Sequence, residues 1–98
     1  MTINKTKNGT TLNAAVEGRI DTATAPEFES AVKAELEGIS ALVLDFEKVN
    51  YISSAGLRVL LSLQKIMNKQ GSMTLKNVNE TVNDIFEVTG FSEILTIA

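Results

Sequence analysis

The stretch ALVLDFEKVNYISSAGLRVLLSLQKIMNKQG, Ala41 to Gly71, changes its hydrophobic period part-way, and the rest of the chain can be read outward from that change. It opens on Ala41-Leu42-Val43-Leu44, a continuous apolar run too short for a helix, which predicts a central strand buried on both faces. From Leu57 to Gln70 apolar residues recur at Val59, Leu60, Leu63, Ile66 and Met67, the period of a helix with one buried stripe, and Gly71 stops it. Arg58, Gln64, Lys65 and Lys69 fall on the remaining surface of that helix, so the stripe reads as core packing and not as a membrane or cofactor face. Leu57 and Leu61 lie to one side of it, open either to the core or to a partner. Between the two elements, Tyr51-Ile52 is a short extended step into Ser53-Ser54-Ala55-Gly56.

Upstream, Asn8-Gly9 carries a type I′ turn signature between Ile3–Lys7 and Thr11–Gly18, where Leu12, Ala14 and Val16 alternate with Thr11, Asn13 and Ala15. A β-hairpin therefore opens the fold. Gly18 ends its second strand, residues 19–23 connect, and a helix starts with Thr24 as cap, Glu27 closing a capping box and Pro26 tolerated in the first turn. Phe28, Val32 and Leu36 line its buried side, and Gly38 closes it. Downstream, Met73–Lys76 reads as a strand, and Asn79 caps a last helix in which Val82, Ile85, Phe86 and Thr89 share a face. Gly90 ends that helix before a tail containing Ile94, Leu95 and Ile97. Strands alternating with helices predict an α/β class: a single domain over residues 1–98, with a mixed sheet opened by a hairpin and packed with three main helices.

Composition narrows the chemistry. The 98 residues are 44% hydrophobic and 21% charged, the balance of a globular domain expected to be a monomer when free. The formal charge is −3 and the lysines are scattered, so no basic stripe is available for nucleic acid. With no cysteine and no histidine, thiol nucleophiles, disulfides, thiolate zinc sites and imidazole acid/base chemistry are all excluded. Asp45 and Glu47, taken with Asp21, suggest a metal site only weakly, because they lack the spacing of a calcium loop. Neither a metal nor a cofactor is expected. The first ten residues are polar, and no apolar run approaches the ~20 residues that span a membrane, which predicts a cytoplasmic address and no membrane partner.

Hydroxyl chemistry concentrates at the strand-to-helix junction. The first backbone N–H groups of a helix lack intrahelical partners and carry partial positive charge, so a phosphate on Ser53 or Ser54 would be received by its own fold. A plain N-cap role for the serine is compatible with this reading. A serine nucleophile is disfavoured, since Gly-x-Ser-x-Gly is absent and no base is available. Asp21-Thr22-Ala23-Thr24 is a second polar cluster, also following a strand end; loops at the carboxyl ends of strands gather at one rim, which predicts that the two clusters are neighbours.

Three stretches give the chain a family resemblance. Gly18-Arg19-Ile20-Asp21 through Pro26 is similar to the Gly-x-Leu/Ile-Asp loop and helix start of STAS domains, in particular of anti-sigma-factor antagonists, and Leu42–Phe46 resembles their central strand. Tyr51-Ile52-Ser53-Ser54-Ala55-Gly56-Leu57 resembles their phosphorylation turn, and Asn77 to Phe91 their final helix and exit. That turn commonly reads Asp-Ser-Ser/Thr-Gly-Leu, with the serine after the aspartate phosphorylated. Aligned on Gly56-Leu57, that serine is Ser54, while Ser53 stands at the aspartate position and Ala55 at that of the second hydroxyl.

The resemblance implies partner switching. The unphosphorylated chain would bind an anti-sigma factor that is also a serine kinase, phosphorylation of Ser54 would end the association, and a PP2C-type serine phosphatase would reset it. Ser53 is the second choice of acceptor. Asp21, Thr22, Thr24, Ser53 and Ala55 would belong to the partner-facing surface, with Gly56 allowing close backbone approach and Leu57 supplying apolar contact. The chain itself would hold no catalytic residue and no nucleotide. Two rivals are an adaptor subunit of a transport or signalling complex without a phosphorylation cycle, and a small enzyme built on Ser53, Ser54 and Asp21, which would need a concave pocket lined by them.

Overall fold

The computed structural model describes residues 1–98. Five strands, β1 (Thr2–Asn8), β2 (Thr11–Ile20), β3 (Ala41–Ile52), β4 (Ser72–Lys76) and β5 (Thr96–Ile97), form one sheet in sequential order. β1 and β2 are antiparallel and every later pair is parallel, so the sheet is mixed and opens with a hairpin. The parallel strands are joined through α1 (Ala25–Lys33), α2 (Ser54–Gln70) and α3 (Glu80–Thr89), with a short 3-10 turn at Phe91–Glu93 before β5. Each crossover steps the same way along the sheet, and crossovers of one hand then lie on one face.

The burial pattern agrees. Leu12, Leu42 and Met73 form one cross-strand row and Ala14, Leu44 and Leu75 the next, all buried on the helix side. They join Phe28 and Val32 of α1, Leu60, Leu63 and Met67 of α2, and Val82 and Phe86 of α3 in a single core. The other sheet face carries Thr11, Asn13, Ala15, Val43, Asp45 and Thr74, each only partly covered. β3 is therefore central as the sequence predicts, yet buried on one face rather than two: Leu42, Leu44 and Phe46 are inside, whereas Ala41, Val43 and Asp45 are not.

β3 is also longer than its apolar run, continuing to Ile52, and it contains two bulges. Ala15 to Glu17 spans two steps on β2 but Asp45 to Lys48 spans three on β3, and Gly18 to Arg19 matches Val49 to Tyr51 in the same uneven way. Each extra residue resets the two-residue alternation, so the inward residues Phe46, Val49 and Ile52 are spaced by three. β2 likewise continues past Gly18 to Ile20, which is fully buried beside Ile52.

Several local expectations are met and others are corrected. Asn79 caps α3, its side chain accepting from Val82 N at 2.8 Å while donating to Val49 O at 2.8 Å. In the opening hairpin, pairing runs through Asn8 to Thr11, so the two-residue loop is Gly9-Thr10. Gly9 alone takes a positive φ, 65°, the requirement of a II′ turn and not of the I′ turn that Asn8-Gly9 suggests. α1 stops at Lys33, and Leu36 and Ile39 are buried from the turns that follow. Gln64 is buried on α2 instead of exposed, its Nε2 donating to Asn68 Oδ1 at 2.9 Å.

Candidate functional site

The paired ends of β2 and β3 place the two polar clusters side by side. Ile20 and Ile52 are in register, and Ser53 N donates to Ile20 O at 2.8 Å, extending the ladder by one bond before the chain turns into α2. Ser53 has the extended backbone of an N-cap residue, with φ −96° and ψ 177°, and its carbonyl accepts the first helical bond from Leu57 N at 2.9 Å. Its hydroxyl caps nothing, and Oγ is sealed inside without a hydrogen-bond partner. Ser54, the first residue of α2, is exposed. Of the two candidate acceptors, only Ser54 presents its side chain to solvent.

The next residues turn inward. A Cβ on Gly56 would lie 2.6 Å from Ile52 Cγ1 and 2.7 Å from Ile20 Cγ2, so the glycine makes room for the chain's own core and not for a partner's backbone. Leu57 is 6% exposed and completes that core. The roles of close approach for Gly56 and apolar contact for Leu57 are thus corrected: both side-chain positions are occupied from within. Ala55 remains half-exposed beside Ser54.

Across the cleft, Asp21 organises the start of α1. Its Oδ1 accepts from Ala23 N at 3.0 Å and Thr24 N at 3.1 Å, while its carbonyl accepts from Thr24 N and Ala25 N. The Thr24 N–H bond is the main reason that the Asp21 carboxyl titrates below its ordinary range. Thr24 sits at the N-cap position in helical geometry, φ −99° and ψ −20°, and its hydroxyl makes no cap bond. It donates instead to Arg19 O at 2.8 Å and accepts from Asp21 N at 2.9 Å, binding the loop to itself. The capping box predicted for Thr24 and Glu27 is replaced by this Asp21 turn. Thr22 is exposed at its crest.

A shallow open groove runs between the first turns of α1 and α2, lined by Thr22, Pro26, Glu29, Ala55 and Arg58. It is a surface depression rather than an enclosed pocket. Two residues of this region are not among the expected site residues: Arg58 in the groove wall, and Arg19, which stacks 4.5 Å from the centre of the Tyr51 ring and approaches Asp21 Oδ2 at 3.6 Å. The first is detectable from spacing, four residues after Ser54 on a helix; the second depends on which strand pairs with which. Asp45 is not part of the site. Its Oδ1 accepts from Glu47 N at 3.0 Å and Asn77 Nδ2 at 3.1 Å; burial opposes its ionisation, and these bonds together with the charges of Lys76 and Lys48 outweigh burial and lower its pKa. No three acidic residues gather as a metal-binding group.

A profile of the STAS domain matches residues 2–98. The chain belongs to the STAS domain family. BtrV of Bordetella bronchiseptica, named as an anti-sigma factor antagonist, is 36% identical over 89% of this chain and 77% of its own length. The anti-sigma-B factor antagonist of Bacillus subtilis is 29% identical over 94% of this chain and 85% of its own. Among solved structures, an anti-sigma factor antagonist from Mycobacterium paratuberculosis superposes with a TM-score of 0.88 at 24% identity, covering 98% of this chain and 83% of that one. The Bacillus protein SpoIIAA in its phosphorylated form gives 0.75 at 15% identity, covering 99% and 91%. These likenesses confirm the α/β fold with its five-stranded mixed sheet and three helices. No helix of this STAS domain is long and apolar enough to cross a membrane.

Proposed function

We propose that this STAS domain is an anti-sigma factor antagonist that works by partner switching, with Ser54 as its phosphoacceptor. The observation that carries the reading is the opposite fate of two adjacent serines: Ser53 Oγ is sealed inside, and Ser54 stands exposed at the first turn of α2. The unmodified rim of Asp21, Thr22, Thr24, Ser54 and Ala55 docks on an anti-sigma factor that is also a serine kinase. In the phosphoryl transfer, Ser54 Oγ bonds to the γ-phosphorus of ATP, the bond to ADP breaks and the hydroxyl proton leaves to a base on the kinase. The added group carries about −1.5 to −2 charge at neutral pH, and a close-packed interface must desolvate or repel it. A loss of about 3 kcal/mol already weakens binding more than a hundredfold. A PP2C-type phosphatase restores the binding form. The cycle belongs to the cytoplasm and requires no catalysis by the antagonist.

The named relatives and the likeness of residues 51–57 to the family's phosphorylation turn, with Ser53 and Ala55 departing from its commonest form, support this reading. Incubation with its cognate anti-sigma factor kinase and ATP is expected to add one phosphate by intact mass, at Ser54 by fragmentation. Ser54→Ala should abolish the addition while keeping the circular dichroism spectrum. Phosphate arriving at Ser53, or equal partner binding before and after phosphorylation, would refute the proposal.

A further inference from the structure

Arg58 follows Ser54 by four residues on α2, so the two side chains occupy one helix face a single turn apart. Both are exposed. Arg58 enters none of the chain's ion pairs, and the carboxylate that shares its groove, Glu29, is held by Lys33 at 3.0 Å. The first turn of α2 contains no acidic residue and receives no side-chain cap. A free guanidinium therefore stands one turn from an exposed hydroxyl on a helix whose positive end is uncompensated. Arg19 is otherwise engaged, with Tyr51 and Asp21. Lys65, eleven residues after Ser54, lies about 16 Å further along the axis.

We infer that Arg58 is an intramolecular latch for the phosphate of Ser54, an inference that rests on Ser54 being the phosphoacceptor. An acidic group four residues before a basic one is the favourable order on a helix, and a guanidinium presents paired N–H donors that match two phosphate oxygens. Phosphorylation then changes the groove twice over. It adds an anion at Ser54 and withdraws the cation at Arg58, so a partner that reads Arg58 in the unmodified chain loses it in the phosphorylated one. Arg58 acts here as a positioning residue, holding the phosphate against its own helix.

The test uses the full chain with phosphoserine installed at position 54 by genetic encoding, so no kinase is involved. The second ionisation of the phosphate is followed by phosphorus-31 NMR at low salt. With Arg58 present the dianion is stabilised, and the midpoint should lie lower than in Arg58→Gln by about 0.3 pH units. Arg58→Lys should recover part of the difference, Lys65→Gln should leave the midpoint in place, and 0.5 M salt should shrink the gap. Equal midpoints in wild type and Arg58→Gln, or no recovery with lysine, overturn the latch. Such a result leaves Ser54 as acceptor untouched, whereas failure of a kinase to modify Ser54 sinks the proposed function without affecting this measurement.

Discussion

Replacing Ser53 by alanine separates two physical accounts of the same residue. Position alone makes Ser53 an N-cap, and losing a capping serine costs about 1 kcal/mol. The structure shows the backbone of a cap without its bond: Oγ meets no donor or acceptor and is shut off from water. A buried hydroxyl with no partner costs about 1–3 kcal/mol in lost hydration, so its removal relieves the folded state rather than weakening it. The methyl group left behind fills most of the same space, and the net expectation is a gain of between zero and about 1 kcal/mol. For a domain of this size each kcal/mol moves the melting temperature by about 4–8 °C. Urea unfolding followed by circular dichroism measures the difference, with Ser54→Ala as an exposed control expected to stay within about 0.5 kcal/mol of wild type. A loss of about 1 kcal/mol or more in Ser53→Ala would show that the hydroxyl caps α2 after all.

Gly56→Ala should destabilise the domain by about 1–2 kcal/mol in the same assay, because a methyl 2.6 Å from Ile52 Cγ1 and 2.7 Å from Ile20 Cγ2 overpacks a fully buried corner faster than helix propensity can compensate; wild-type stability would contradict the inward-facing glycine. Asn79→Ala should cost about 1–2 kcal/mol, since it uncaps Val82 N and strands Val49 O together, and an unchanged urea midpoint would count against the double role. The carboxyl of Asp21 titrates below the ordinary aspartate range, chiefly because Thr24 N–H donates to it, so its charged form stabilises the fold above that range, and the contribution disappears as pH falls through the folded-state value. Melting temperature should therefore drop as the pH is taken from about 5 to about 2, and less steeply in Asp21→Ala than in wild type; parallel curves would rule Asp21 out as a source.

The sequence is legible where one residue's local chemistry decides the outcome. Asn79 caps α3 because its side chain needs only the next turn, and Gly71 and Gly90 end their helices at the positions their flanking periods mark. It misleads where a non-local neighbour decides. Ala41-Leu42-Val43-Leu44 reads as buried twice over because nothing within four residues reports that all three helices lie on one side of the sheet. Thr24 has the spacing of a cap, yet its hydroxyl is taken up by the end of β2, donating to Arg19 O and accepting from Asp21 N, while its backbone is already helical. Gly56 and Leu57 share a motif with exposed Ser54, but both turn inward, Gly56 against Ile20, which arrives from another strand.

That dependence links the two bulges of β3 to the site. Without an extra residue, alternation would set inward positions at even intervals from Leu42, and a slip of one place exchanges the faces of everything that follows. Two insertions, one between Asp45 and Lys48 and one between Val49 and Tyr51, move the frame by two places in total. Ile52 therefore keeps its inward direction at the end of a strand two residues longer than the segment of β2 it pairs with. The added length also carries Ser53 just past the end of β2, where its amide meets Ile20 O and no ladder partner remains for the next residue. With the ladder exhausted and Ile52 fixed inside, the chain must turn there. Gly56 then packs back over Ile20 and Ile52, Leu57 follows it into the core, and the exposed corner of that turn falls on Ser54.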